Sequence, residues 1–354
     1  MHLSPMTGGY RLFLSAAVVA LAGSLACAPA SAPLPPPEEV LLLVNRDDAT
    51  LQVIPVDAPT SSTTIPLGGV TPAPTSVSAF NGVALVPLGP DDAAAVVDLQ
   101  AGTVSRIVSL PSGSGATGSA MVDDSIGYVA NPNLNSITRI NYLTGDTMSV
   151  AVGVHPQAAV YTRGKLFVLN GNVVGGTPVG PSWISVIDPL TNRGVDSILM
   201  PGPGNATSGV VAQDGILYVM NTGPTDGTTA GRLTLVDPVG RSELGSFSGF
   251  GNAPGGIATN ASDRLYVSST SEGLMVFDLL NLRVLRGAGN GVAVPENSAV
   301  AVGSDGRIYA VESGDCTAAG QGKVHILRPD LTEIRSIAGG RCAAAALVTE
   351  IPPE

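Results

Sequence analysis

Residues 255–286 read GGIATNASDRLYVSSTSEGLMVFDLLNLRVLR, and this stretch decides the fold. Four short runs, 255–260, 264–268, 273–278 and 283–286, are separated by turn residues and are each too brief for a helix. The first run is built of Gly, Ala, Ile, Thr and Asn, while the second and third are strongly apolar. The phrase at the end of the second run recurs along the chain. It reads LLVN at 42–45, ALVP at 84–87, YVAN at 128–131, FVLN at 167–170, YVMN at 218–221, YVSS at 266–269 and YAVE at 309–312. A spacing of roughly forty to fifty residues is the period of a four-stranded propeller blade.

Where the strands can be parsed, the first of each repeat is dominated by Ala, Gly, Ser and Val, as a propeller axis demands, because innermost strands converge where large side chains collide. The N-terminal repeat begins at 40–44, directly with the second-strand phrase, and has no small-residue run before it. The missing run stands at the other end, CAAAALV at 342–348. The expectation is an all-β, seven-bladed propeller over 40–350 with a short tail at 351–354. Its ring is closed by the C-terminal strand joining the N-terminal blade, which removes exposed sheet edges.

Residues 1–26 read as an export signal: Arg11 precedes an apolar run from 12 to 26 that is too short for a comfortable membrane span. The run ends Gly23-Ser24-Leu25-Ala26-Cys27, which resembles the lipobox of bacterial lipoproteins, with Ser24 where Leu is usual. That resemblance implies acylation of Cys27, and Ala28 after it points to the outer membrane, on its periplasmic or surface face. The alternative is an ordinary signal peptide with Cys27 a spare thiol. The segment 27–39 is rich in proline and reads as an extended tether. Removing the signal leaves 16 of the 17 basic residues against 28 acidic ones, a net charge of −12. Without a basic cluster, this charge disfavours nucleic acid and anionic lipid headgroups as partners.

The pieces YVAN, FVLN and YVMN, with third-strand endings VIDP, LVDP and VFDL at Asp188, Asp237 and Asp278, resemble the YVTN family of propeller repeats, which includes YncE-like exported proteins and archaeal surface-layer proteins. The resemblance covers nearly all of 40–348. It departs at Pro87 and Glu312, which replace the asparagine. It implies architecture more than activity, because propellers host many unrelated functions.

In such a ring, loops linking second to third strands share one face with the blade linkers. These loops are long at 170–182, 221–231 and 312–321, which makes that face the expected binding surface. Second-strand ends bring Asn45, Asn131, Asn170, Asn221 and Glu312 toward it. Two readings stand: a polar ring around a ligand or Ca²⁺, with Glu312, Asn131 and Asn221 as metal donors, or asparagines that each cap their own turn. Glu296 and Asn297 before the blade 7 inner strand, and His155 and Gln157 before that of blade 4, are further candidates for the channel mouth, against a reading as solvated loop residues. No zinc spacing, nucleophile elbow or phosphate-binding loop occurs, and no catalytic residue or resident cofactor is expected. Cys316 and Cys342 fall on the same face and read as a disulfide across the seam, or as two buried thiols.

Three functional expectations follow. The first is a lipid-anchored extracytoplasmic scaffold that binds an envelope protein or glycan. The second is a metal-dependent lactonase or lyase working at the channel mouth, and the third a structural component of the envelope or surface layer.

Overall fold

A computed structural model of the chain describes residues 35–353, apart from 225, 261, 318 and 319. Pro36–Glu354 forms one compact unit, and its strands make seven four-stranded antiparallel sheets, the blades of a propeller. Blade 6 pairs Pro254–Thr259, Arg264–Ser269, Gly273–Asp278 and Arg283–Arg286 in that order. Among the described residues the helical content is one 3₁₀ turn, Pro132–Leu134, and none of these residues forms a helix long and apolar enough to cross a membrane.

The ring closes through blade 1, whose sheet runs Thr63–Pro66, Thr50–Pro55, Glu38–Asn45 and then the C-terminal strand Ala343–Ile351. Leu42 pairs with Leu347 and Val40 with Thr349. The pairing extends past the expected boundaries at both ends, with Glu38 opposite Ile351 and Glu39 opposite Glu350. Glu38 and Glu39 therefore belong to the sheet and not to the tether, and Ile351 is no tail residue. The reason is visible at Glu39, whose carboxylate accepts the Ser304 N–H at 2.7 Å and so bridges blade 1 to blade 7.

The core lies between blades. Tyr218, from blade 5, packs with Phe247 and Phe250 against Phe277 of blade 6, with ring centroids 5.0 to 6.4 Å apart. Tyr128, Tyr218, Tyr266, Tyr309 and Phe167 are all fully or nearly fully buried, so the aromatic opening of the repeated phrase fills these interfaces. Antiparallel order puts inner-to-second and third-to-outer turns on one face of the disc, here the turn face. Second-to-third loops and blade linkers share the other, the loop face.

Candidate functional site

The axis of the disc is a channel of about 470 Å³ lined by all seven inner strands. Its wall is Gly, Ala, Val, Ile and Pro interleaved with Ser, Thr and Gln157, and no charged side chain among the described residues lines it. The hydroxyls are engaged between blades. Ser76 donates to the Thr117 carbonyl at 2.6 Å, Thr117 to the Gln157 carbonyl at 3.2 Å, and Ser208 to the Gly255 carbonyl at 2.8 Å. Ser268 donates to the Ser298 carbonyl at 3.3 Å and Ser298 to the Ala343 carbonyl at 2.7 Å. The Gln157 amide links blade 4 to Asn205 of blade 5. These bonds form a belt from blade 2 round to blade 1, each contributing about 0.5–1.5 kcal/mol net. Gln157, expected at the channel mouth, does line the channel, but its amide serves the belt.

The asparagines of the repeated phrase take neither expected form. Asn131 and Asn170 are 0 % exposed and Asn221 is 2 % exposed. Their amides reach across to the third strand of their own blade. Asn131 donates to Thr138 Oγ1 at 2.8 Å, Asn170 to Ser185 Oγ at 3.0 Å, and Asn221 to Thr234 Oγ1 at 3.0 Å. Asn45 donates to Thr50 and accepts the N–H of Gly340 in the preceding blade linker. Each asparagine thus staples two strands, and Asn45 a linker as well. None of the three expected ligands opens onto the channel. The Oδ1 atoms of Asn131, Asn170 and Asn221 have no partner among the described residues.

Glu312 replaces asparagine in blade 7 and His325 replaces the hydroxyl. His325 lies opposite Ala310 in the register that Thr138, Ser185 and Thr234 hold opposite Val129, Val168 and Val219. Glu312 Oε2 stands 2.9 Å from His325 Nε2, Glu333 Oε1 3.2 Å from His325 Nδ1, and Lys323 Nζ 3.4 Å from Glu312 Oε1. The two carboxylates address opposite ring nitrogens, so they do not converge on a common point. Glu312, Asn131 and Asn221, the expected metal set, sit in blades 7, 3 and 5, each engaged within its own sheet. No cluster of three or more His, Cys, Asp or Glu among the described residues is arranged to hold a metal.

Glu296 and His155 owe their places to the backbone. The residue immediately before the inner strand has positive φ in five blades: His155 at 55°, Asn205 at 70°, Ala253 at 49°, Glu296 at 42° and Cys342 at 51°. This left-handed step aims the carbonyl at the residue after the second strand. Gly171 donates to His155 at 2.9 Å, Ser313 to Glu296 at 3.0 Å, and Arg46 to Cys342 at 3.0 Å. Burial holds the His155 imidazole below its usual range. Asn297, 1 % exposed, has no partner for either amide atom among the described residues. Cys316 and Cys342 are joined by a disulfide that ties the blade 7 loop to the closing strand. Cys27 lies outside the described residues.

Several contributors escape a residue-by-residue reading. Blade 2, which has Pro87 in place of asparagine, carries Asp91 and Asp92 in the same loop. Asp91 accepts the N–H groups of Val70 and Thr71, and Asp92 those of Gly113 and Gly115, so the pair fastens the linkers on both sides. The Gly113 N–H, above all, holds the Asp92 carboxyl below the usual range. The loop after Asn170 contains a small hairpin, Val173–Val174 paired with Thr177–Pro178, turning through Gly175 and Gly176 at positive φ. The Gly-Gly pair between two strand-formers is a sequence signal for that hairpin. On the loop face Val70 is 93 % exposed, Val174 59 %, Val179 62 % and Leu134 41 %.

No protein-family model matches this chain, and no curated protein does. Among solved structures it is similar to hydrazine synthase of Kuenenia stuttgartiensis, with a TM-score of 0.59 and 18 % identity over 88 % of this chain and 100 % of that one. It is also similar to apo AztD from Citrobacter koseri, with a TM-score of 0.56 and 14 % identity over 89 % of this chain and 99 % of that one. The likeness is one of fold. It places the chain among seven-bladed propellers.

Proposed function

We propose that the chain is a YVTN-type propeller, exported as a bacterial lipoprotein through Cys27, that works as an extracytoplasmic binding scaffold at the outer membrane. Its partner is a protein of the envelope, met on the loop face. The observation that carries this reading is the contrast between what is engaged and what is free. Most polar residues brought inward are tied up in staples, linker caps and the belt, with Asn297 the exception. Val70, Leu134, Val174 and Val179 stand exposed on loops, offering aliphatic contact beside the amides of the same loops. A protein suits this surface better than a glycan, since the one tryptophan, Trp183, is half-buried and aromatics are 4 % of the chain. The metal-centred enzyme reading finds no support in the arrangement of Glu312, Asn131 and Asn221.

The test is photo-crosslinking in the producing cell from a reactive residue at position 174, set against one at 190 on the turn face. A single discrete adduct from position 174, lost on Val179→Asp, is the expected result. Equal adducts from both positions, or none, would sink the reading.

A further inference from the structure

The third-to-outer turns of blades 3–6 share one plan. The third strand ends on an Asx residue whose side chain accepts the N–H two positions on. The pairs are Leu143 to Asn141 at 3.0 Å, Leu190 to Asp188 at 3.0 Å, Val239 to Asp237 at 2.8 Å and Leu280 to Asp278 at 3.0 Å. The residue held at the tip is apolar in four consecutive blades and points into solvent: Leu143 is 61 % exposed, Leu190 92 %, Val239 71 % and Leu280 74 %. In the other three blades the equivalent tip is polar: Asp330 in blade 7, Asp57 in blade 1 and Gln100 in blade 2. The turn face is therefore divided, with an aliphatic arc over blades 3–6 and a polar sector opposite.

Two further features of that face say what the arc meets. Glu38, the first residue of its strand, pairs with Ile351 at this end of blade 1. The chain toward Cys27 thus leaves from the turn face, in the polar sector. Ten residues separate Cys27 from Glu38, a reach of about 30 Å at the rise of an extended proline-rich segment. In addition, five cations sit in or beside the turns of blades 4–6 on this face, three of them paired with carboxylates: Lys165 lies 3.7 Å from Asp188, Arg241 3.4 Å from Asp196 and Arg283 3.8 Å from Asp278, while Arg163 and Arg193 complete the set.

We propose that the turns of blades 3–6 rest on the lipid surface that holds Cys27, with the aliphatic tips in the headgroup layer. This rests on the lipid-anchor reading above. The anchor at blade 1 and the arc across the ring make two points of support, and the loop face is turned away from the bilayer. Tip contacts too weak to bind alone become effective once tethering raises the local concentration to about millimolar.

The test uses the chain from Cys27 onward, which contains the whole compact unit. It is coupled through the Cys27 thiol to a maleimide-headgroup lipid in phosphatidylcholine vesicles with brominated acyl chains, which quench nearby tryptophan. Leu190→Trp and Leu280→Trp report from the arc and Val70→Trp from the loop face, against the constant signal of Trp183. Emission added by the two arc substitutions should fall by about twofold, and that from Val70→Trp should not change. Equal quenching at all three sites, or none at the arc, overturns the proposal. Coupling in vitro makes this outcome independent of native acylation, which mass spectrometry of Cys27 from the producing cell decides separately.

Discussion

At the residue scale, the asparagine of the repeated phrase shows how a motif can be visible and its role hidden. Asn170 is fully buried and donates to Trp183 O and Ser185 Oγ, both at 3.0 Å. Its truncation leaves those acceptors without a donor and opens a small void. Asn170→Ala should cost about 1–3 kcal/mol, measured by denaturant unfolding, without altering the loop-face crosslink. Asp92 makes a second prediction. Its carboxyl is held below the usual range, chiefly by the Gly113 N–H. A depressed carboxyl stabilises the fold fully above its unfolded value, about 3.9, and loses that contribution as pH falls through the lower folded value. The melting-temperature gap between the native chain and Asp92→Asn should therefore be constant near neutrality and shrink below about pH 4. A gap that stays constant down to strong acid would show that the caps on Gly113 and Gly115 do not depend on charge.

At the scale of the element, the closing strand is the one part of the ring that its neighbours in sequence cannot supply. Ala343–Ile351 pairs along the whole of Glu38–Asn45. It is pinned at its start by the disulfide, and Arg341 just before it meets Asp48 at 2.6 Å. Replacing Cys316 and Cys342 together by Ser should lower stability by about 2–4 kcal/mol and raise protease sensitivity first at the C-terminal strand. Loss of stability with no local change there would separate the disulfide from closure. This strand was legible in the sequence because a missing small-residue run at one end matched a surplus run at the other. The blade count was legible for a related reason, since each copy of the phrase must fill an interface between blades, with an aromatic side chain in blades 3–7 and an aliphatic one in blades 1 and 2. The hydroxyl belt was not legible, because Ser76 and Thr117 lie 41 residues apart and meet only after the ring forms. Nor was the depth of the asparagines, since strand register places a residue at a sheet end but does not say whether its amide turns outward or back across the sheet. Glu38 and Glu39 read as tether because charge beside proline resembles a linker, whereas Glu39 caps a turn of blade 7.

At the scale of the whole molecule, the polar residues that converge on the axis hold neighbouring blades to one another, and those at the strand ends hold strands within a blade. What is left for partners is the rim. Loops stand on one face, aliphatic turn tips on half of the other, and a neutral, hydroxyl-lined channel runs between them. The central claim is that the repeated Asn and Glu positions build the ring and do not ligate an ion. It is tested most directly by metal analysis of the purified chain, paired with thermal melts in calcium and in chelator. The account predicts no stoichiometric divalent ion and coincident melts, with Glu312→Gln affecting both conditions alike. One ion per chain, a melting temperature lowered by chelator, and loss of both effects in Glu312→Gln would contradict it.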